Sequence, residues 1–217
     1  MPPVSRPDMK ASYNRIAGQS LERLAALSDG VFAVAMTLLV LDLRAPEVKE
    51  IHSERDLWLA LGALGPRLIM CAMTFMTLGI FWVGQQTQLN HLARSERSLS
   101  WMHILFLFAV CMMPFSTMLL AGFMAYRIAL LVYWVNIVLL GATLYFTWVC
   151  ALGLGLVRED VTPAVAAAIK RRIAMAQALY AVGALLCVVN TYVSIAFIVL
   201  VQLNYAIAPR WLGRGRA

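Results

Sequence analysis

Long apolar stretches separated by short polar ones set the pattern of this chain. Runs rich in Leu, Ala, Val, Met and Phe extend over about 25–43, 57–83, 99–120, 128–149, 173–189 and 193–208. A helix needs about 20 apolar residues to cross the ~30 Å hydrocarbon core of a bilayer. Lipid offers the backbone no hydrogen-bonding partner, so only helices or a closed barrel can cross it. Barrel strands alternate in polarity over ~10 residues, whereas these runs are apolar on all sides. The pattern therefore predicts an all-α polytopic membrane protein of six transmembrane helices, forming a single domain over 1–217. Helix one ends at Arg44-Ala45-Pro46, and Gly65-Pro66-Arg67 predicts a kink in the outer half of helix two. Asn190-Thr191 predicts a tight turn between helices five and six, and Pro209-Arg210 ends the last helix.

Composition agrees with this class: 62% of residues are hydrophobic, 13% are charged, and mean hydropathy is +0.77. The net charge of +7 is spread over loops with no basic-aromatic surface, so no nucleic-acid partner is expected. With six crossings both termini share one side. That side holds Arg6, Lys10, Arg15, Arg23, Arg94, Arg97, Arg158, Lys170, Arg171, Arg172, Arg210, Arg214 and Arg216. The other holds Arg44, Lys49, Arg55 and Arg127, a bias of thirteen to four. By the positive-inside rule, both termini are cytoplasmic in a cell membrane. The first apolar run carries Asp29 near its start and lacks a small-residue cleavage site, so it is read as a retained helix rather than a signal peptide. Cys71, Cys111, Cys150 and Cys187 are widely spaced within apolar runs, with no metal-ligand spacing. No metal or cofactor is expected.

Helix one carries the unusual residues. It reads Arg23-Leu-Ala-Ala-Leu-Ser28-Asp29-Gly-Val-Phe-Ala-Val34-Ala-Met-Thr37-Leu38-Leu-Val-Leu41. An intramembrane carboxylate is costly unless paired or wet. Asp29 is either an N-terminal helix charge favoured by the dipole or a member of an interhelical polar network. Val34, Leu38 and Leu41 share one helical stripe by their i, i+4, i+7 spacing, with Thr37 beside it. On a lone helix the stripe is packing surface. Around an axis of several copies it becomes a hydrophobic constriction, which can gate by dewetting. Periodicity leaves both readings open.

Arg23-x-x-x-Leu27-Ser28-Asp29, followed by Phe32 and Thr37-Leu38-Leu39, resembles the Arg-x-x-x-Phe-Ser-Asp signature of the endolysosomal potassium channel family (transmembrane protein 175) and its prokaryotic relatives. Leu27 stands where the family usually has phenylalanine. Phe81-Trp82 at the end of helix two and Pro114-Phe115-Ser116-Thr117 in helix three resemble two further family motifs. The likeness covers helices one to three. It implies a homotetramer of six-helix subunits in which four copies of helix one line a pore. By position it assigns the constriction to Val34, with Leu38 and Leu41 further outward, and potassium selectivity to the Thr37 hydroxyl, with no metal beyond the permeating potassium ions there. It also implies a polar network of Arg23, Ser28, Asp29 and Trp82. Three residues after the tryptophan, where the family commonly has histidine, this chain has Gln85, and His103 in helix three is either a substitute or an interfacial residue with a water partner.

Other function classes find less support. A secondary cation or proton transporter typically shows paired intramembrane carboxylates and broken helices in two repeats, and one clear deep acid is present here. An enzyme needs clustered nucleophiles, acids or metal ligands; none is apparent, and no enzymatic activity is expected. A non-conducting membrane subunit remains the bland alternative. The outer loop sets Asp42, Glu47, Glu50, Glu54 and Asp56 against Arg44, Lys49 and Arg55. It is either a cation-attracting mouth or a solvated linker.

Overall fold

A computed structural model describes residues 20–41, 43–47 and 51–207. The loop residues Asp42, Lys49 and Glu50, and the basic residues Arg6, Lys10, Arg15, Arg210, Arg214 and Arg216, lie outside the described residues. Among the described residues there are seven α-helices: α1 (Leu21–Leu41), α2 (Glu54–Ala63), α3 (Gly65–Asn90), α4 (Arg97–Gly122), α5 (Arg127–Gly153), α6 (Pro163–Leu185) and α7 (Thr191–Ile207). A short 3₁₀ turn, Leu186–Val188, joins the last two. Five helices are long and apolar enough to span a bilayer: α1, α3, α4, α5 and α6 with its 3₁₀ extension. The apolar part of α7, Thr191–Tyr205, is shorter than the ~20 residues of an ordinary span.

The break expected at Gly65-Pro66-Arg67 divides the second apolar run into α2 and α3. Pro66 lies in the first turn of α3, where its missing N–H would have had no intrahelical partner anyway. Helix α2 starts on a capped turn: Ser53 Oγ accepts from Asp56 N (3.2 Å), and Asp56 Oδ2 accepts from His52 N (3.3 Å). That reciprocal exchange resembles a capping box and gives Asp56 a local task. Helix α6 begins at Pro163, ten residues before the apolar run. Thr162 caps it by accepting from Val165 N, so Lys170, Arg171 and Arg172 stand on the helix rather than in a loop.

Helices α4 and α5 form the central hairpin; α1 packs on α4 and α3, and α7 packs on α3 and α6. The interior of this bundle is partly polar. Thr74 and Thr117 share a hydrogen bond of 2.7 Å, and Tyr133 bonds to Thr74 and Thr77 (3.3 and 3.1 Å). Gln202 Nε2 then donates to Thr77 Oγ1 at 2.6 Å, drawing α7 onto α3. Ser116 accepts from Asn136 Nδ2 (3.2 Å). The Ser-Thr pair of the Pro-Phe-Ser-Thr motif thus joins α4 to α5 and to α3. In lipid, apolar packing alone gives helices little reason to associate, and such interhelical bonds supply part of the adhesion.

The loops alternate between two ends of the bundle. Ala93 N donates to Leu156 O and Arg158 N to His91 O, which places the α3–α4 and α5–α6 connections together. Leu21 packs into the same cluster as Leu92, Leu99 and Trp148, so the start of α1 lies at that end. At the opposite end Arg127 Nη2 donates to Val188 O (2.9 Å). Arg23, Arg94, Arg97 and Arg158 accordingly share one end, and Arg127 lies at the other.

Candidate functional site: the clamp on the first helix

One stripe of α1 is buried: Leu24, Ser28, Phe32, Ala35 and Leu39. These residues repeat at three- and four-residue spacing and so face one direction, against the main core formed with α3 and α4. The opposite face is open among the described residues. Val34 is 58% exposed, Leu38 45% and Leu41 74%. Thr37 is also exposed, and its hydroxyl donates to Val34 O at 2.8 Å. That bond commits the proton to the helix and leaves the oxygen lone pairs facing away from it. Leu38 lies toward the flank, in a groove with Leu27, Gly30, Val31, Val34 and Cys111 of α4.

Two sets of hydrogen bonds anchor the base of α1. The inner set centres on Ser28, which is fully buried with Gln85 and His103 around it. Gln85 Nε2 donates to Ser28 Oγ (2.8 Å), and Ser28 Oγ lies 2.6 Å from His103 Nε2. The Gln85 amide nitrogen also lies 3.0 Å from that imidazole nitrogen, and Ser28 Oγ is 2.7 Å from Leu24 O. With Nε2 unprotonated, the amide donates to both partners and the histidine carries its proton on Nδ1. Three helices, α1, α3 and α4, meet at this one hydroxyl. His103 is 3% exposed, a core residue and not an interfacial one with a water partner.

The outer set centres on Asp29. Its Oδ1 accepts from Trp82 Nε1 (2.8 Å) and from Gln86 Nε2 (2.9 Å), at an exposed edge between α1 and α3. Of the residues singled out in the sequence, Ser28, Gln85 and His103 meet in one cluster and Asp29 and Trp82 in a second beside it. Gln86 was not anticipated from the sequence. Trp82 and Gln86 are four residues apart, hence on one face of α3, and that spacing was the available signal. Arg23 is exposed, and its backbone N–H donates to Ser20 Oγ (3.2 Å) at the helix start. It joins neither cluster through the bonds described. Among the described residues no group of three or more His, Cys, Asp or Glu could hold a metal ion.

Replacing Asp29 with alanine leaves the Trp82 and Gln86 donors without their shared acceptor. The site is exposed, so the expected loss of stability is about 1 kcal/mol, below the ~1.5–3 kcal/mol typical of a bond to a charged group. Asp29→Asn, which keeps one acceptor oxygen, recovers most of it. Thermal melting of the purified protein measures both. An unchanged melt in Asp29→Ala would show that the carboxylate does not hold the helix.

Residues 23–114 match the family model described as endosomal/lysosomal potassium channel TMEM175. A potassium channel of Streptomyces collinus is 37% identical over 102 residues, covering 47% of this chain and 48% of the relative. A potassium channel of Chamaesiphon minutus is 33% identical over 114 residues, covering 51% and 56%. The mouse endosomal/lysosomal proton channel TMEM175 is 32% identical over 102 residues, 45% of this chain and 20% of the relative. The aligned stretches span about half the length of the bacterial relatives. The crystal structure of a lysosomal potassium-selective channel TMEM175 homolog from Chamaesiphon minutus superposes with a TM-score of 0.76 at 25% identity, over 87% of this chain and 97% of that one. These relatives are named as ion channels, not enzymes. Residues 23–114, which hold both anchoring clusters, are the part of the chain that is similar to the endosomal/lysosomal potassium channel family.

Proposed function

We propose that this protein is a potassium-selective cation channel, assembled as a homotetramer with α1 of each subunit lining the conduction path. The observation that carries this reading is the two-sided character of α1. Its base is fastened by two polar clusters, while the face bearing Val34, Thr37 and Leu41 has no covering element among the described residues. An apolar face without a partner is expected to meet other copies, and the groove beside Gly30 and Leu38 gives a neighbouring helix room to approach. In that assembly Val34 and Leu38 form a hydrophobic narrowing, with Leu41 further outward. Thr37 presents a ring of hydroxyl oxygens to a dehydrating potassium ion. The likeness to proteins named potassium channels supports the ion class.

Potassium flux through the purified chain in liposomes tests the proposal. Thr37→Ala removes the hydroxyl ring, and potassium-over-sodium preference falls while assembly is retained. Absence of any flux, or flux that saturates and needs a coupled substrate, contradicts a channel. Orientation is part of the same reading: both termini cytoplasmic, with the 44–56 loop outside. An impermeant thiol reagent added outside intact cells labels a single cysteine placed at Ser53. Protection of that cysteine reverses the orientation.

A further inference from the structure

Behind the inner clamp, where α1, α3, α4 and α5 converge, a largely closed cavity leaves ≈ 10 Å³ for the centre of a water molecule. That is about the room one water requires, and such a site holds water when it also offers two to four polar partners. Its wall includes Leu24, Gln85, Gln88, His103, Leu144 and Thr147. Gln85 is 1% exposed and directs its amide nitrogen to Ser28 and His103. Its carbonyl oxygen Oε1 is buried with no hydrogen-bond partner among the described residues. Buried polar atoms are rarely left unpaired in native proteins. Turning the amide over does not resolve this, because the NH₂ group then takes the place of Oε1.

Two other lining groups have unused capacity. Gln88 Nε2 donates one hydrogen to Leu144 O (3.1 Å) and has a second. Thr147 Oγ1 donates to Thr143 O (2.7 Å), which leaves its lone pairs free to accept.

We propose that this cavity is a binding site for one ordered water, which donates to Gln85 Oε1 and Thr147 Oγ1 and accepts the second N–H of Gln88. The ligand is a neutral water and nothing larger: among the described residues no carboxylate, lysine or arginine lines the cavity, and its volume admits no hydrated cation. The water extends the hold on α1 to a fourth helix. Ser28 and Gln85 join α1 to α3, His103 brings in α4, and the water ties Gln85 to Thr147 on α5. Gln85 and Thr147 are thereby coupled although no direct hydrogen bond joins them. This inference stands apart from the channel reading, and its test does not measure ion flux.

An experimental structure of the assembled protein, at a resolution that shows waters, gives the direct test. The expected result is a density peak about 2.6–3.2 Å from both the Gln85 amide and the Thr147 hydroxyl. Absence of that peak overturns the site. Melting of Gln85→Met, Thr147→Val and the double variant tests the coupling. Thr147→Val lowers the melting temperature by about 2–4 °C. The double variant loses less than the sum of the singles, since one water cannot be lost twice; strictly additive shifts overturn the proposal. If Gln85→Met does not assemble, Thr147→Ser and Thr147→Val decide. The serine variant keeps the peak and the melting temperature, and the valine variant loses both. A peak that persists unchanged in Thr147→Val rejects Thr147 as a partner and with it the proposed site.

Discussion

Val34→Asn raises potassium flux in reconstituted vesicles by on the order of tenfold, which corresponds to about 1.4 kcal/mol off the permeation barrier. The reason lies in the wall of the proposed narrowing. Aliphatic side chains around a narrow path expel water, and a cation cannot follow without losing its hydration. Amides at the same level stabilise water and wet the constriction. Flux therefore rises while discrimination between potassium and sodium falls, since ions then pass more fully hydrated. Val34 tolerates this change because its face of α1 is open within the subunit. If the face instead packs against another apolar surface, the same substitution buries an unpartnered amide. Oligomer stability then falls with no gain of flux. Measuring flux and oligomer stability on one preparation separates the two outcomes.

Ser28→Ala destabilises the subunit by about 1–3 kcal/mol, the cost of leaving buried polar groups unpaired. The hydroxyl serves Gln85 and His103 at once, and both are buried with it. Alanine fits the space but offers neither a donor nor an acceptor, so two interhelical bonds are lost together. Because the missing bonds fasten α1 to α3 and α4, the effect is expected on folding and assembly before ion preference. A lowered melting temperature with unchanged selectivity in the surviving channels is the predicted result. If Ser28→Ala melts like the parent protein, the buried cluster does not hold the helix.

The hydropathy pattern made most of the helices legible, because each long run is apolar on every side. It missed the start of α6, where Lys170, Arg171 and Arg172 interrupt the apolar pattern while the backbone stays helical from Pro163. The break between α2 and α3 was readable because Gly65-Pro66 punctuates the run. The anchoring clusters were readable in part. Ser28, Asp29, Trp82, Gln85 and His103 were identifiable as polar residues in apolar helices, and the structure pairs them across three elements. Their division into a buried set and an edge set was not legible, since it depends on how α1 is rotated about its axis. The same limit applies to the Val34 stripe. Leu24, Phe32 and Leu39 are as apolar as Val34, Leu38 and Leu41, so composition cannot say which stripe faces the bundle. Packing against α3 and α4 distinguishes them.

The central claim is that the uncovered face of α1 lines the conduction path. It is tested most directly by thiol block of potassium flux in a background whose four native cysteines are replaced. Cysteine is placed singly at Val34 and at Val40, both exposed in the single chain but on different sides of the helix. Silver ions applied to vesicles are predicted to block flux through Val34→Cys and to leave Val40→Cys conducting. Block of Val40→Cys alone, or no block at either position, would contradict the assignment of that face to the pore.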